Sequence, residues 1–307
     1  MIEIRPAIAQ YLQIRRAQGG QLDEVSRHLN AFATFLEDTG ATVINVETAV
    51  TFASTPAVAS ARTKAVRLSA VRGFTRWAHT LDAEIEVPPG GLLKARSTRH
   101  TPYIYTQEDV AQLLNAANRM KPMFRAHTFQ TLIGLMASLG IRTGEAAATN
   151  LTDFDPVAGT LRVSGKHSKT RMLPLHASVR DALIAYLPRR RLFSPASECP
   201  ALLVSTTGTR LSSTSVSYGF RDIRGRTTLA ARSLTCQPRL YDLRHTFAVN
   251  ALLQVYQSGQ DPMVALPILS TWLGHASPAD TYWYLSSTPQ LMEAALNRVV
   301  NARGVLS

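Results

Sequence analysis

The chain has 307 residues, with 33 Lys and Arg against 21 Asp and Glu and a formal net charge of +12. That length accommodates two domains at ~100–200 residues each, and 45% apolar with 18% charged residues is ordinary globular composition, not that of a disordered tail or coiled coil. Two cysteines, Cys199 and Cys236, leave no disulfide framework and no multi-cysteine zinc site.

The N-terminus, MIEIRPAIAQ, shows no apolar signal-peptide core. The longest apolar stretch, around Thr131–Leu139, is far short of the ~20 residues of a membrane span. A soluble, cytoplasmic protein without a membrane partner is expected. Its positive charge points to a polyanion, with nucleic acid the first candidate.

The charge is unevenly divided. Residues 1–95 hold 10 Lys/Arg and 9 Asp/Glu, so the excess belongs almost entirely to residues 96–307. Between them, Val87-Pro88-Pro89-Gly90-Gly91 breaks regular structure and a basic stretch, Lys94–His100, follows. The expected organisation is a helical domain at 1–95, a linker at 96–101 and a second domain at 102–307.

In the first part, Ile8–Arg16, Asp23–Glu37 and Ser60–Leu81 carry apolar residues at helical spacing. The last gathers Val66, Ala70, Val71, Phe74, Trp77, Ala78 and Leu81 on one side and Arg62, Lys64, Arg72 and Arg76 on the other, with Arg67 near the apolar edge. No acid interrupts Ala57–Thr80. Such a face is either solvated or laid against DNA phosphates, and an acid-free basic face is what the second requires.

The second part opens on Thr106-Gln107-Glu108-Asp109, a helix N-cap with early acids. Helical spacing continues through Asn115 or beyond and returns at Phe124–Leu139. Thr160–Ser164 and Thr170–Pro174 read as two strands of a hairpin around Gly165-Lys166-His167-Ser168. Helical patterns resume at Val179–Leu187, Thr214–Arg224, Tyr241–Gln257, Val264–Leu273, Ala279–Leu285 and Pro289–Asn301. Helices around one small antiparallel sheet make an α+β domain.

Four segments of this second part belong together: LGIRTGE (139–145), SGKHSKTR (164–171), YDLRHTFA (241–248) and LGHASPADTYWYL (273–285). In this order and spacing they resemble the tyrosine recombinases, the phage-integrase family of site-specific DNA recombinases. The resemblance implies a mostly helical two-domain clamp, with a SAM-like core-binding bundle at the N-terminus and a catalytic domain from about residue 102. It implies an enzyme that cuts and rejoins DNA through a 3′-phosphotyrosine, for integration, excision, transposition or resolution. Absence of a long N-terminal extension tilts the expectation towards a simple or transposon-borne recombinase.

Carried over by motif, Arg142 and Arg244 match the two catalytic arginines, Lys166 the hairpin lysine, His275 the LGH histidine and Tyr284 the nucleophile. Glu145 matches a supporting acid. Tyr241 stands where the family usually has histidine. Two permanently charged, fork-shaped guanidiniums suit the non-bridging oxygens of a phosphodiester under attack. A phenol of pKa ~10 needs neighbouring cations and an acceptor to become a nucleophile. Lys166 would protonate the leaving 5′-oxygen. Tyr241, a poor base at neutral pH, is expected to position the phosphate by its hydroxyl while His275 takes any base role.

His245, about 100° around a helix from Arg244, reads as structural. Lys169 and Arg171 read as phosphate contacts, and Tyr282 as the rival nucleophile. No cofactor or metal is called for, because the covalent link conserves the energy of the bond. The implied partners are double-stranded DNA with inverted-repeat half-sites and further copies of the chain, two on one site and four in a synapse. The C-terminal helix, with Leu291, Ala294, Ala295 and Val299 on one face, docks either on its own domain or on a neighbour. Two other readings remain at this point: a type IB topoisomerase, and a non-catalytic DNA-binding regulator.

Overall fold

The computed structural model describes residues 2–20, 22–41, 43–55, 57–93, 101–165, 169–194, 199–275, 277, 279–285 and 288–304. The chain divides into two units, residues 1–99 and 100–307. The basic stretch and most of the linker expected between them lie outside the described residues, as do Lys166, His167 and Ser168.

The first unit is helical: α1 (Ile4–Ala17), α2 (Asp23–Thr39), α3 (Val46–Ser54) and α4 (Ala61–Ala78). Its core is built on Leu29, Phe32, Phe52, Val71 and Phe74, all buried. The Ser60 side chain accepts the Thr63 N–H and starts α4, the usual N-cap of an exposed helix end. The buried stripe of α4 runs through Leu68, Val71, Phe74, Thr75 and Ala78. That puts Val66 and Leu81, expected on the apolar side, in solvent. The helix stops at Ala78, so Leu81 falls in the turn beyond it.

The second unit begins with α5 (Gln107–Asn118), closed at its start by a reciprocal Thr106–Asp109 capping box, and α6 (Met123–Leu139). α6 is apolar on nearly every face and runs through the middle of the core, with Leu132, Ile133, Leu135 and Met136 buried. A short helix α7 (Thr143–Ala148) leads to a three-stranded antiparallel sheet in the order β1 (Phe154–Asp155), β2 (Thr160–Ser164), β3 (Thr170–Pro174). The hairpin register pairs Leu161 with Leu173 and Val163 with Arg171, so Leu161, Val163 and Leu173 face the core.

Helices α8 (Ala177–Phe193), α9 (Ser213–Gly225), α10 (Asp242–Gln257), α11 (Pro262–Leu273), α12 (Ala279–Leu285) and α13 (Pro289–Gly304) complete it. α13 packs on α10 of its own chain. Leu291 joins Ala248, Val249, Leu252 and Tyr284 in one buried cluster; the side chain of Val299 lies outside the described ones. Among the described residues no helix is long and apolar enough to cross a membrane.

Candidate active site

Two helix ends organise the centre of the second unit. α6 closes on Gly140 and α11 on Gly274, both left-handed at φ 62° and 65°. An α-helix leaves its last carbonyls without internal partners and with a negative partial charge. Here those carbonyls meet arginines. Arg244, on the first turn of α10, donates to Gly140 O at 2.8 Å and Leu273 O at 2.7 Å. Arg142 donates to Gly274 O at 3.1 Å, and Arg171, on β3, to Trp272 O at 2.6 Å.

Both glycines are required by space as well as by φ. A Cβ on Gly140 would stand 2.4 Å from the Phe247 ring, and one on Gly274 would stand 2.6 Å from the Arg171 guanidinium.

One carboxylate sits among the three guanidiniums. Glu145, buried on α7, accepts from Arg142 at 2.7 Å and from Arg171 at 3.1 and 2.9 Å. Its second oxygen lies 3.9 Å from Arg244 and also takes the Arg142 backbone N–H at 2.9 Å. Burial works against its ionisation, but Arg171 and Arg142 prevail and hold its carboxyl below the usual range. Arg244 is wholly buried, and its Nε has no hydrogen-bond partner among the described residues. Burial and the charge of Arg142 press its pKa down, yet a guanidinium stays charged in a protein. Among the described residues, three cations against one carboxylate leave positive charge without an internal counter-ion.

Tyr284, on α12, is 2% exposed. Burial pushes its phenol up to about 12, against the pull of Arg244 and Arg142. Its hydroxyl lies 3.2 Å from Nδ1 of His245. His275 follows Gly274; its Nδ1 bonds Thr281 Oγ1 at 2.6 Å, and its ring lies nearly parallel to that of Tyr284 with centroids 6.2 Å apart. Burial first, then neighbouring cations, bring His245 and His275 each down to about 4.

The structure thus brings together Arg142, Glu145, Arg244, His275 and Tyr284. Tyr282 is 43% exposed. Tyr241 is 41% exposed, and its ring stands edge-on to His245 at 5.1 Å. Lys169 is exposed. Arg171, expected as a phosphate contact, instead directs all three guanidinium nitrogens at Glu145 and Trp272 O. The reason is its register: opposite Val163 in the hairpin, it points inward. On α4, Arg62 and Arg76 are exposed, and Lys64 and Arg72 half-buried.

His245, read from the sequence as structural, lies against the Tyr284 hydroxyl in the structure. Tyr241 and His245 are four apart, hence on one face at the start of α10, a spacing legible in the sequence.

Residues 104–290 match the model of the Phage integrase family. The Sinorhizobium fredii protein y4rB, provisionally named an integrase/recombinase, is 39% identical over 306 residues, covering 97% of this chain and 98% of that one. Tyrosine recombinase XerC of Pseudomonas syringae pv. tomato is 33% identical over 225 residues, 73% of this chain and 69% of the relative. Among solved structures, a lambda integrase tetramer bound to a Holliday junction superposes with a TM-score of 0.61 at 16% identity, covering 92% of this chain and 77% of that one.

Proposed function

This chain belongs to the phage integrase family and is a tyrosine-type site-specific DNA recombinase; from that premise we propose that Tyr284 is its nucleophile. The observation that carries this reading is a buried phenol, contacted by an imidazole, beside three guanidiniums that share one carboxylate. Three guanidiniums against one carboxylate leave two positive charges unmatched among the described residues, and a phosphodiester supplies an anion to them. The charge gathered on the non-bridging oxygens during attack is met by Arg142 and by the unpartnered Nε of Arg244, donors fixed in advance by the two helix ends.

Tyr284 Oη attacks phosphorus and the 5′-oxygen leaves, giving a 3′-phosphotyrosine. Lys166, placed here by its motif alone, gives that oxygen its proton. The 5′-hydroxyl of a partner strand then reverses the step. Glu145 and Arg171 are positioning residues, which hold Arg142 and the end of α11.

The first unit binds the duplex flanking the cut through Arg62, Lys64, Arg72 and Arg76, supported by the acid-free stretch on α4; Lys169 adds a phosphate contact beside the site. Two copies occupy inverted-repeat half-sites, since a two-fold protein pair calls for a two-fold sequence, and four form the synapse, a reading supported by the likeness to a lambda integrase tetramer bound to a Holliday junction. The protein acts with DNA in the cytoplasm.

The test is to select a binding site from random duplexes, nick it beside the protected centre and look for a covalent protein–DNA adduct. We expect an adduct that Tyr284→Phe abolishes and Tyr282→Phe retains. Binding without any adduct would instead support a non-catalytic regulator.

A further inference from the structure

Resting on Tyr284 as nucleophile, we propose that His245 accepts its phenolic proton during cleavage and returns it during rejoining. The 3.2 Å between His245 Nδ1 and Tyr284 Oη is within direct transfer distance. Other groups around this hydroxyl fit that role less well. Arg244 faces the same oxygen, but a guanidinium only donates. His275 lies alongside the phenol ring in a near-parallel stack, 10° between planes, with Nδ1 tied to Thr281. Tyr241 holds the family's histidine position, but its ring abuts His245.

Three aromatic rings fix the imidazole. Tyr241 stands edge-on at 5.1 Å, Trp283 edge-on at 5.4 Å, and Tyr284 is tilted at 5.5 Å. His245 lies one helical turn after Tyr241 on α10, and the Tyr241 ring buttresses it. The charged and titratable groups facing His245 are Arg239 and Tyr241 just before α10, Arg244 on it, His275 after α11, and Tyr284 on α12. Burial and then the cations keep the imidazole neutral, the state in which Nδ1 can accept while Nε2 carries the proton.

The step balances. The Oη–P bond forms as the P–O5′ bond breaks, and the phenolic proton moves to Nδ1. The 5′-oxygen takes its proton from the acid proposed above, and the new imidazolium is stabilised by the phosphate's negative charge. Rejoining runs the same transfers backwards.

Two measurements on the full-length protein test this. The first needs no DNA: nitrogen-15 NMR of labelled histidines should show His245 protonated at Nε2 and bare at Nδ1, with the Nδ1 signal displaced in Tyr284→Phe. A proton on Nδ1 would overturn the proposal. The second is single-turnover cleavage of the nicked duplex at neutral pH. Adduct formation by the wild type, lost in Tyr284→Phe, checks the underlying reading separately. His245→Gln, which keeps an acceptor but no base, should cleave ~10²-fold or more slowly with unchanged DNA affinity, and its rate should climb as pH rises and hydroxide ionises the phenol. A 5′-bridging sulfur, which leaves without a proton, should not restore the variant. Restoration by sulfur, or a His245→Gln rate within about threefold of wild type, would sink the idea.

Discussion

The arginines of α4 and the arginines around Glu145 are the same side chain under opposite conditions. On α4, Arg62 and Arg76 extend into solvent from a stretch with no acid for more than twenty residues. Around Glu145, Arg142, Arg171 and Arg244 are wholly or largely enclosed and bonded to backbone carbonyls at two helix ends. The first set carries charge that reaches any phosphate and can be screened by salt. The second carries charge in fixed directions at reduced dielectric, where each donor counts for far more. Net charge treats the two alike; only placement separates binding from chemistry.

Removing the shared carboxylate is the strongest way to break the distinction. Glu145→Ala leaves three close guanidiniums without their acid, and stability should fall by ~3–5 kcal/mol, the usual cost of orphaning a buried charge. Denaturant unfolding of the variant against wild type measures this, and an unchanged midpoint would show that the helix-end carbonyls suffice alone. Arg244→Lys comes next. A lysine cannot cap Gly140 O and Leu273 O and still present a donor to a phosphate, so adduct formation should drop by ~10²–10³ with DNA binding retained. Gel shifts run beside cleavage assays separate the two outcomes.

The parts of this arrangement that sequence made legible are the local ones. Both hairpin strands, the Thr106 cap and the four motif segments depend on neighbours in the chain, and Thr160–Ser164 and Thr170–Pro174 match the strands of the structure. α3 and α7 did not stand out, because nine and six residues offer too few turns for a periodic pattern. At the site, the glycines of LGI and LGH were legible as motif letters. Their physical reason, a left-handed helix end with an aromatic or guanidinium packed against it, depends on Phe247 and Arg171, far away in sequence. The inward bonding of Arg171 is hidden from the sequence for the same reason: its partner Glu145 is 26 residues back. The contact of His245 with Tyr284 joins residues 39 apart, so it too is set by the fold rather than by local spacing.

Acid should act on the second region more than on the first. His245 and His275 are held at about 4 against an ordinary 6.5, so the unfolded chain takes up their protons first as pH falls. Stability should therefore decline from about pH 6.5 towards pH 4. Glu145, held below its usual range, adds a loss of the same sign at lower pH, where the unfolded chain protonates this carboxyl first. Melting temperature against pH measures the slope, and His245→Gln or His275→Gln should flatten it. An equal slope in both variants and wild type would place the loss elsewhere.

The smallest effects lie on α4, where one helix contains its own control. Arg67 differs from its neighbours: its guanidinium lies 4.0 Å over the Phe52 ring and donates to Phe52 O at 3.0 Å. Arg62→Ala and Arg76→Ala remove solvated charge and should leave stability within about 0.5 kcal/mol. Each should make the log–log dependence of DNA affinity on salt shallower by ~0.9 if that side chain meets one phosphate. Arg67→Ala should do the reverse, lowering the melting temperature through lost packing while the salt slope stays put. Fluorescence-anisotropy titrations over a salt series give the slopes. If Arg67→Ala shifts the slope and Arg62→Ala does not, the solvated face of α4 is not the one that meets DNA.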